Sequence, residues 1–264
     1  MIRSMHSAAS GMEAMQTQID VIANNMANVN TTGFKRSRAE FTDLLYQQMR
    51  QATAAGARRG ANQGAPAPLE VGVGTRLVAT QKIYEIGDLK QTGNPLDLAI
   101  EGDGFFRVRN IDDSLAYTRA GDFKITAQGQ IVTTGGHPLD PPLFVPPDAT
   151  SITIDPTGVV KALVPGDVEP VEVGQIELSQ FTNPTGLKSL GKNLLAETEA
   201  SGRAILGTPG QEGLGALAQG MLETSNVEVV EEMIDLIAAQ RAYEINSRVI
   251  RAADEMLAEA AQLR

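Results

Sequence analysis

Along the first thirty residues the apolar positions fall on two rows of a seven-residue repeat. Met5, Met12, Ile19 and Met26 form one row, and Ala8, Met15, Ile22 and Val29 form a second, three residues later. This spacing puts both rows on one face of an α-helix and predicts a heptad seam over four repeats. Between the rows lie Gln16, Gln18, Asp20, Asn24, Asn25 and Asn28, polar but nearly uncharged, unlike the Lys/Glu face of an ordinary solvated helix. Asn30-Thr31-Thr32-Gly33 predicts the helix end, with glycine supplying a left-handed closing residue. At the far end of the chain Leu222, Val229, Leu236, Tyr243, Ile250 and Leu257 also stand seven apart, and Ala239, Ala253 and Ala260 fall three residues after members of that row. A second long helix follows. Ile234, Ile237, Ile245, Val249, Met256 and Leu263 widen its apolar surface beyond one seam, which implies two neighbours. An antiparallel pair within one chain is the simple reading of the two helices, and packing in a filament the sharper one.

Between the helices the period changes to two. Runs over 75–86, 96–100, 105–109, 116–119, 123–126 and 130–133 are separated by Gly-Asp, Asp-Gly, Gln-Gly and Gly-Gly turns, and further runs follow at 151–154, 159–163 and 175–181. They predict an antiparallel β domain. The fold class is α+β, with long amino- and carboxyl-terminal heptad helices forming a coiled coil around a central, mainly antiparallel β domain. The expected segments are 1–33 (first helix), 34–74 (extended basic linker), 75–182 (β domain), 183–221 (return linker) and 222–264 (second helix). Residues 52–68, which include Arg58 and Arg59, and residues 198–220 hold few large apolar side chains and are expected to be flexible in a monomer. Residues 34–60 carry six basic against two acidic side chains, and residues 223–264 four basic against nine acidic. The two stretches attract each other, within a subunit or between subunits.

Composition narrows the function. The chain has 264 residues and a net charge of -10, which argues against a phosphate-tracking surface, so no nucleic acid partner is expected. It has no Cys, which excludes disulfides, thiolate metal sites and cysteine nucleophiles, and only two His, His6 and His137. No run approaches the ~18 apolar residues of a membrane span, so no membrane insertion is expected. Nor do the first twenty residues contain a continuous apolar stretch of signal-peptide length, and no cleaved signal is expected.

Motifs that could carry chemistry are weak. The stretch 186–193 (GLKSLGKN) follows the phosphate-loop pattern until Asn193 replaces the magnesium-binding hydroxyl. Gly72-Val-Gly74 lacks the third glycine and crossover helix of a dinucleotide site. Asp97, Glu101 and Asp103 could pair as carboxylates, but Gly102-Asp103-Gly104 is hairpin chemistry. His6 lies beside the heptad seam and His137 in the turn Gly135-Gly136-His137-Pro138, both as ordinary surface or interface residues. Asn30-Thr31-Thr32 fits a glycosylation sequon, but a helix-ending turn calls for the same residues. No catalytic, cofactor-binding or metal-ligating residue is expected, and the terminal helices remain as interaction surfaces.

These residues carry a resemblance. Ser10-Gly11-Met12, followed by residues 19–35 (IDVIANNMANVNTTGFK), closely resembles the amino-terminal signature of bacterial flagellar rod and hook proteins. Residues 98–106 (LAIEGDGFF), 117–123 (YTRAGDF) and 222–248 (LETSNVEVVEEMIDLIAAQRAYEINSR) extend it to the middle and end of the chain. Within that family the length, residues 41–50 (FTDLLYQQMR), the Ala/Gly-rich insertion and residues 69–74 (LEVGVG) look most like the distal rod branch, with proximal rod and hook-type members as alternatives. The resemblance implies a helical homopolymer whose inner layer pairs both terminal helices. Its partners would be proximal rod proteins, the hook protein, the surrounding P and L ring proteins and the flagellar type III export apparatus, which exports such chains without cleavage. The assembly interface is expected to use the two helical rows together with Arg58 and Arg59, and residues 46–74 are expected to order only in the polymer, bridging neighbours. Two rivals from other classes are a glycan-binding or hydrolytic β domain and a cytoplasmic coiled-coil adaptor.

Overall fold

A computed structural model of the chain describes residues 2–50, 69–165, 170–211 and 213–262. They form two compact units, one from residues 1–25, 37–81 and 229–264, the other from 26–36 and 82–228.

The first unit contains both helices, α1 (Ile2–Ala27) and α2 (Val229–Gln262), and the strands β1 (Ser37–Asp43), β2 (Tyr46–Arg50), β3 (Leu69–Gly72) and β4 (Thr75–Lys82). β1 pairs with β4, and β2 pairs antiparallel with β3, Tyr46 opposite Gly72 and Gln47 opposite Val71. The Leu44 N–H donates to the Gly74 carbonyl at 2.9 Å, which carries the ladder from one pair to the next and makes a two-stranded ribbon. The ribbon meets α1 at Ser10, whose hydroxyl accepts from the Thr75 N–H at 3.3 Å. Gly74 (φ +130°) permits that approach, since a Cβ there would lie 2.2 Å from the Ser10 oxygen. Residues 46–50 and 69–72 thus pair within a single chain, where the sequence reading had them order only in the polymer. Arg58 and Arg59 lie outside the described residues.

The second unit is built from β5 (Leu89–Gln91), β6 (Leu98–Glu101), β7 (Phe105–Arg109), β8 (Leu115–Thr118), β9 (Phe123–Ile125), β10 (Ile131–Thr133), β11 (Ser151–Ile154), β12 (Val159–Leu163), β13 (Val171–Gln175), β14 (Leu178–Gln180), β15 (Lys188–Gly191), β16 (Leu194–Ala196), β17 (Ile205–Gly207), β18 (Ala216–Gln219) and β19 (Met221–Glu223). Six strands form the largest sheet in the order β15-β16-β8-β7-β14-β17, with antiparallel pairing throughout. Its core gathers Phe106, Val108, Phe123, Ile131, Leu139, Val160, Ile176 and Leu178, and a satellite cluster stacks Phe105, Tyr117 and Phe181 edge to face.

The α+β class is as expected, and the differences are local. The run at 175–181 divides into β13 and β14 because the Ile176 N–H turns to the Gly158 carbonyl at 2.8 Å. The stretch 183–221 is no loose linker: β15 to β18 run through it, and Leu187, Leu194, Leu195, Leu214 and Leu217 are buried. Those few leucines suffice because β15, β16 and β17 belong to the six-stranded sheet and β18 pairs with β6. Leu222 lies in β19, so α2 begins only at Val229.

Candidate assembly surface

In the second unit the signature segments at both ends of the chain and in its middle converge on one buried carboxylate. Glu223, 1% exposed, ends β19. It accepts from the Lys35 ammonium, from Arg119 Nε at 2.9 Å and from the Gly87 N–H at 3.2 Å. Arg119, following β8, spends its other donors on the carbonyls of Gly102 (2.8 Å) and Gly104 (2.7 Å), so the hairpin Gly102-Asp103-Gly104 folds around the guanidinium. Lys35 also donates to the Glu85 carbonyl, and the Gly33 N–H reaches the Glu223 backbone carbonyl at 2.9 Å. Burial pushes the Lys35 ammonium below its usual pKa, while the Glu223 carboxylate pulls it back up. Two cations and one anion share the site, which is costly unless all three stay hydrogen-bonded, as they are. The site has the chemistry of a clasp. Sequence reasoning missed it, because Lys35 and Glu223 are 188 residues apart and entered only the summed charges of two stretches.

In the first unit a second clasp sits between the helices. The buried Asn25 amide donates to the Ser37 carbonyl and accepts from the Ser37 N–H, both at 2.9 Å, and donates to Glu232 at 3.1 Å. Fourteen residues earlier on α1, a Cβ at Gly11 would lie 2.8 Å from the amide of Asn246, itself fourteen residues after Glu232. The helices therefore run antiparallel, with Gly11 opposite Asn246 and Asn25 opposite Glu232. On α2 the residues at 4-3 spacing through these two contacts are Glu232, Leu236, Ala239, Tyr243, Asn246, Ile250, Ala253 and Leu257, of which Glu232, Ala239 and Ala253 are buried.

α1 differs from expectation. The face toward α2 passes through Gly11, Ala14, Gln18 and Asn25. Of the expected rows Ala8 and Ile22 are buried, while Met5, Met12, Met15, Ile19, Met26 and Val29 are half-buried. Small residues let the backbones approach closely, and Asn25 needs internal partners, so they take the inner face from the larger methionines. Of the expected carboxyl-terminal residues, Leu222, Leu236, Ile250 and Leu257 are half-buried, and Val229 and Tyr243 are exposed. On the opposite side of α2 from the inward row stand Val230 (70% exposed), Ile234 (60%), Ile237 and Ile245 (59%), with the exposed Val249 and Met256 on its flank. This helix is apolar on two opposite faces, and within its unit only one of them is covered.

The weak motifs resolve into structure. Residues 188–196 form a β15-β16 hairpin whose turn places Gly191, Lys192 and Asn193 at positive φ, with no helix following to cradle a phosphate. Asp97 accepts from Thr92 (2.6 Å) and Asn94 (2.8 Å), fixing a turn, while Glu101 and Asp103 are exposed. His6 is exposed, but His137, expected as a surface or interface residue, is buried within its own unit. Pairing drives that burial: the His137 N–H donates to the Thr133 hydroxyl and its carbonyl accepts from the Thr133 N–H, closing the turn inward. Among the described residues no group of His, Asp and Glu side chains is placed to hold a metal ion, and no helix is long and apolar enough to cross a membrane.

Three family models match the chain: "Flagella basal body rod protein" over residues 5–35, "Flagellar hook protein FlgE/F/G D1 domain" over 99–162, and "Flagellar basal body rod FlgEFG protein C-terminal" over 218–263. Among similar curated proteins, the flagellar basal-body rod protein FlgG of Borreliella burgdorferi is 48% identical, covering 100% of this chain and 99% of its own length. Those of Buchnera aphidicola from Schizaphis graminum, at 46%, and of Bacillus subtilis, at 40%, match over 100% of both chains.

Proposed function

The chain belongs to the FlgG family of flagellar basal-body rod proteins, and on that premise we propose that it is a non-catalytic subunit of the distal rod, polymerising with its own copies into a rigid tube across the periplasm. One observation favours polymerisation above others: α2 is apolar on opposite faces, and only one of them is met within its own unit. The tube carries motor torque to the hook and forms part of the export channel wall. Its partners are proximal rod proteins below, the hook protein above, and the P and L rings around it. The subunit leaves through the flagellar type III apparatus without losing a signal peptide.

In this reading the half-buried row Met5, Met12, Ile19 and Met26 and the outer row of α2 are covered by other copies, and residues 46–74, with Arg58 and Arg59, bridge neighbours to stiffen the shaft. The leading test is electron microscopy of basal bodies from a strain lacking this gene. Rods that stop short of the distal segment and carry no hook support the reading. A complete rod lacking only the hook moves the chain to another place on the axis. Ile234→Asp, which sets a charge on the outer row of α2, is expected to abolish swarming with export retained.

A further inference from the structure

The outward faces of α1 and α2 carry charges at matching intervals. On α1, Glu13 and Asp20 stand seven residues apart, both exposed, beside an uncharged exposed row of Ala9, Gln16 and Ala23, small at its two alanines. On α2, Arg241 and Arg248 also stand seven apart, both exposed, within the outer apolar row that includes Ile234 and Ile245. Seven residues of helix span about 10.5 Å, so the two pairs match in length. Neither the α1 pair nor Arg241 has an ion pair among the described residues, and Arg248 makes only a 3.9 Å contact with Glu244 one turn before it. The two faces thus complement each other in charge and in shape: alanines on one, branched apolar side chains on the other.

We propose that these faces join successive copies, the outward face of α1 in one subunit packing antiparallel on the outer row of α2 in the next, with Glu13 paired to Arg248 and Asp20 to Arg241. The proposal rests on the polymer reading above and adds to it which helix meets which, and in what register. Antiparallel pairing follows if copies lie parallel to one another, because α1 and α2 are already antiparallel within each. The register then has a consequence. Within one chain, with Gly11 opposite Asn246, the position opposite Glu13 is residue 244. Across the interface it is Arg248, four residues further, or about 6 Å along the axis. A repeated contact that combines a rotation with an axial step closes no ring and generates an open helix. The charge pairs thereby contribute to the pitch of the assembly as well as to its affinity.

Pairwise charge reversal in the flagellated cell tests this. Glu13→Lys and Arg248→Glu, each alone, are expected to cut swarm diameter at least tenfold while export of the full chain stays at wild-type level. Together they are expected to restore it, and Glu13→Lys with Arg241→Glu is not. Asp20→Lys with Arg241→Glu is the second matched pair. Wild-type swarming by the single variants, a matched double no better than its worse single, or rescue by the mismatched pair overturns the proposal. Basal bodies from the deletion strain report separately on the rod reading, so a failed charge exchange beside truncated deletion-strain rods rejects only the register.

Discussion

Glu223 stands between two buried cations, and the asymmetry of that arrangement ranks its substitutions. Glu223→Gln keeps the size but turns one of the two acceptor oxygens into an NH2 donor, and it leaves Lys35 and Arg119 facing each other without an anion. That is expected to cost about 3–5 kcal/mol, the range for a buried pair deprived of one partner. Lys35→Met removes the ammonium that burial already pushes down and leaves Arg119 and Glu223 a neutral pair, so its cost is expected to be under half as large. Urea unfolding of the two variants checks the order, and an equal loss would mean that the site is held by packing alone. Tyrosines give a second residue-scale prediction. Burial pushes the Tyr84 hydroxyl up to about 12, and burial with the nearby Glu197 charge does the same for Tyr117. Between pH 10 and 12 both stay protonated in the folded chain and lose protons when it unfolds. Folded protein then binds more protons, and stability falls as pH rises through that window, by up to about 1.4 kcal/mol per pH unit for each group. Replacing both by Phe should flatten the decline in denaturant midpoints between pH 10 and 12.

At the scale of elements the sequence showed more of what repeats than of what is placed. The 4-3 row of α2 and the turn glycines between short strands were legible because each depends on neighbours within a few residues. The orientation of α1 was not, since Gly11 and Asn25 look like weak points of a helix until Asn246 and Ser37 are brought to them. Strands β15 to β18 were read as linker because three or four residues hold too short an alternation to stand out, and their burial depends on strands far away in the chain. Gly33 shows how a legible signal can have a second cause. Its φ of +67° is the left-handed conformation expected of it, but α1 already ends at Ala27, six residues earlier than the expected close; the Gly33 N–H goes to the Glu223 carbonyl, and a Cβ there would lie 2.6 Å from the Ala120 backbone nitrogen. Gly33→Ala meets both penalties and is expected to lose more than the ~1 kcal/mol of the strained conformation alone. Gly93, at φ +74° with nothing near its missing Cβ, supplies the control: Gly93→Ala should lose only that conformational share, as read by thermal unfolding.

Across the whole molecule the second unit needs segments from both ends of the chain, and this could not be read from the sequence because the residues that close it are separated by nearly its full length. Lys35 lies just after the first helix, Arg119 in the middle, and Glu223 just before the second. β19 pairs with β5 and β18 with β6, so the last strands of the unit seal the edges of the first ones. A chain ending at residue 220 keeps the Phe106 and Val108 core and both cations but loses β19 and the Glu223 carboxylate that ties them together. A chain ending at residue 228 keeps all of the unit and lacks only α2. Cooperative thermal unfolding is therefore expected of the longer chain and a broad, protease-sensitive transition of the shorter, although they differ by eight residues. If both unfold alike, the clasp forms after the unit rather than completing it. If they differ as expected, a chain delivered amino terminus first cannot close its β unit until the start of the last helix has emerged, and the charges of Lys35 and Arg119 keep the earlier segments from settling into a dry core alone.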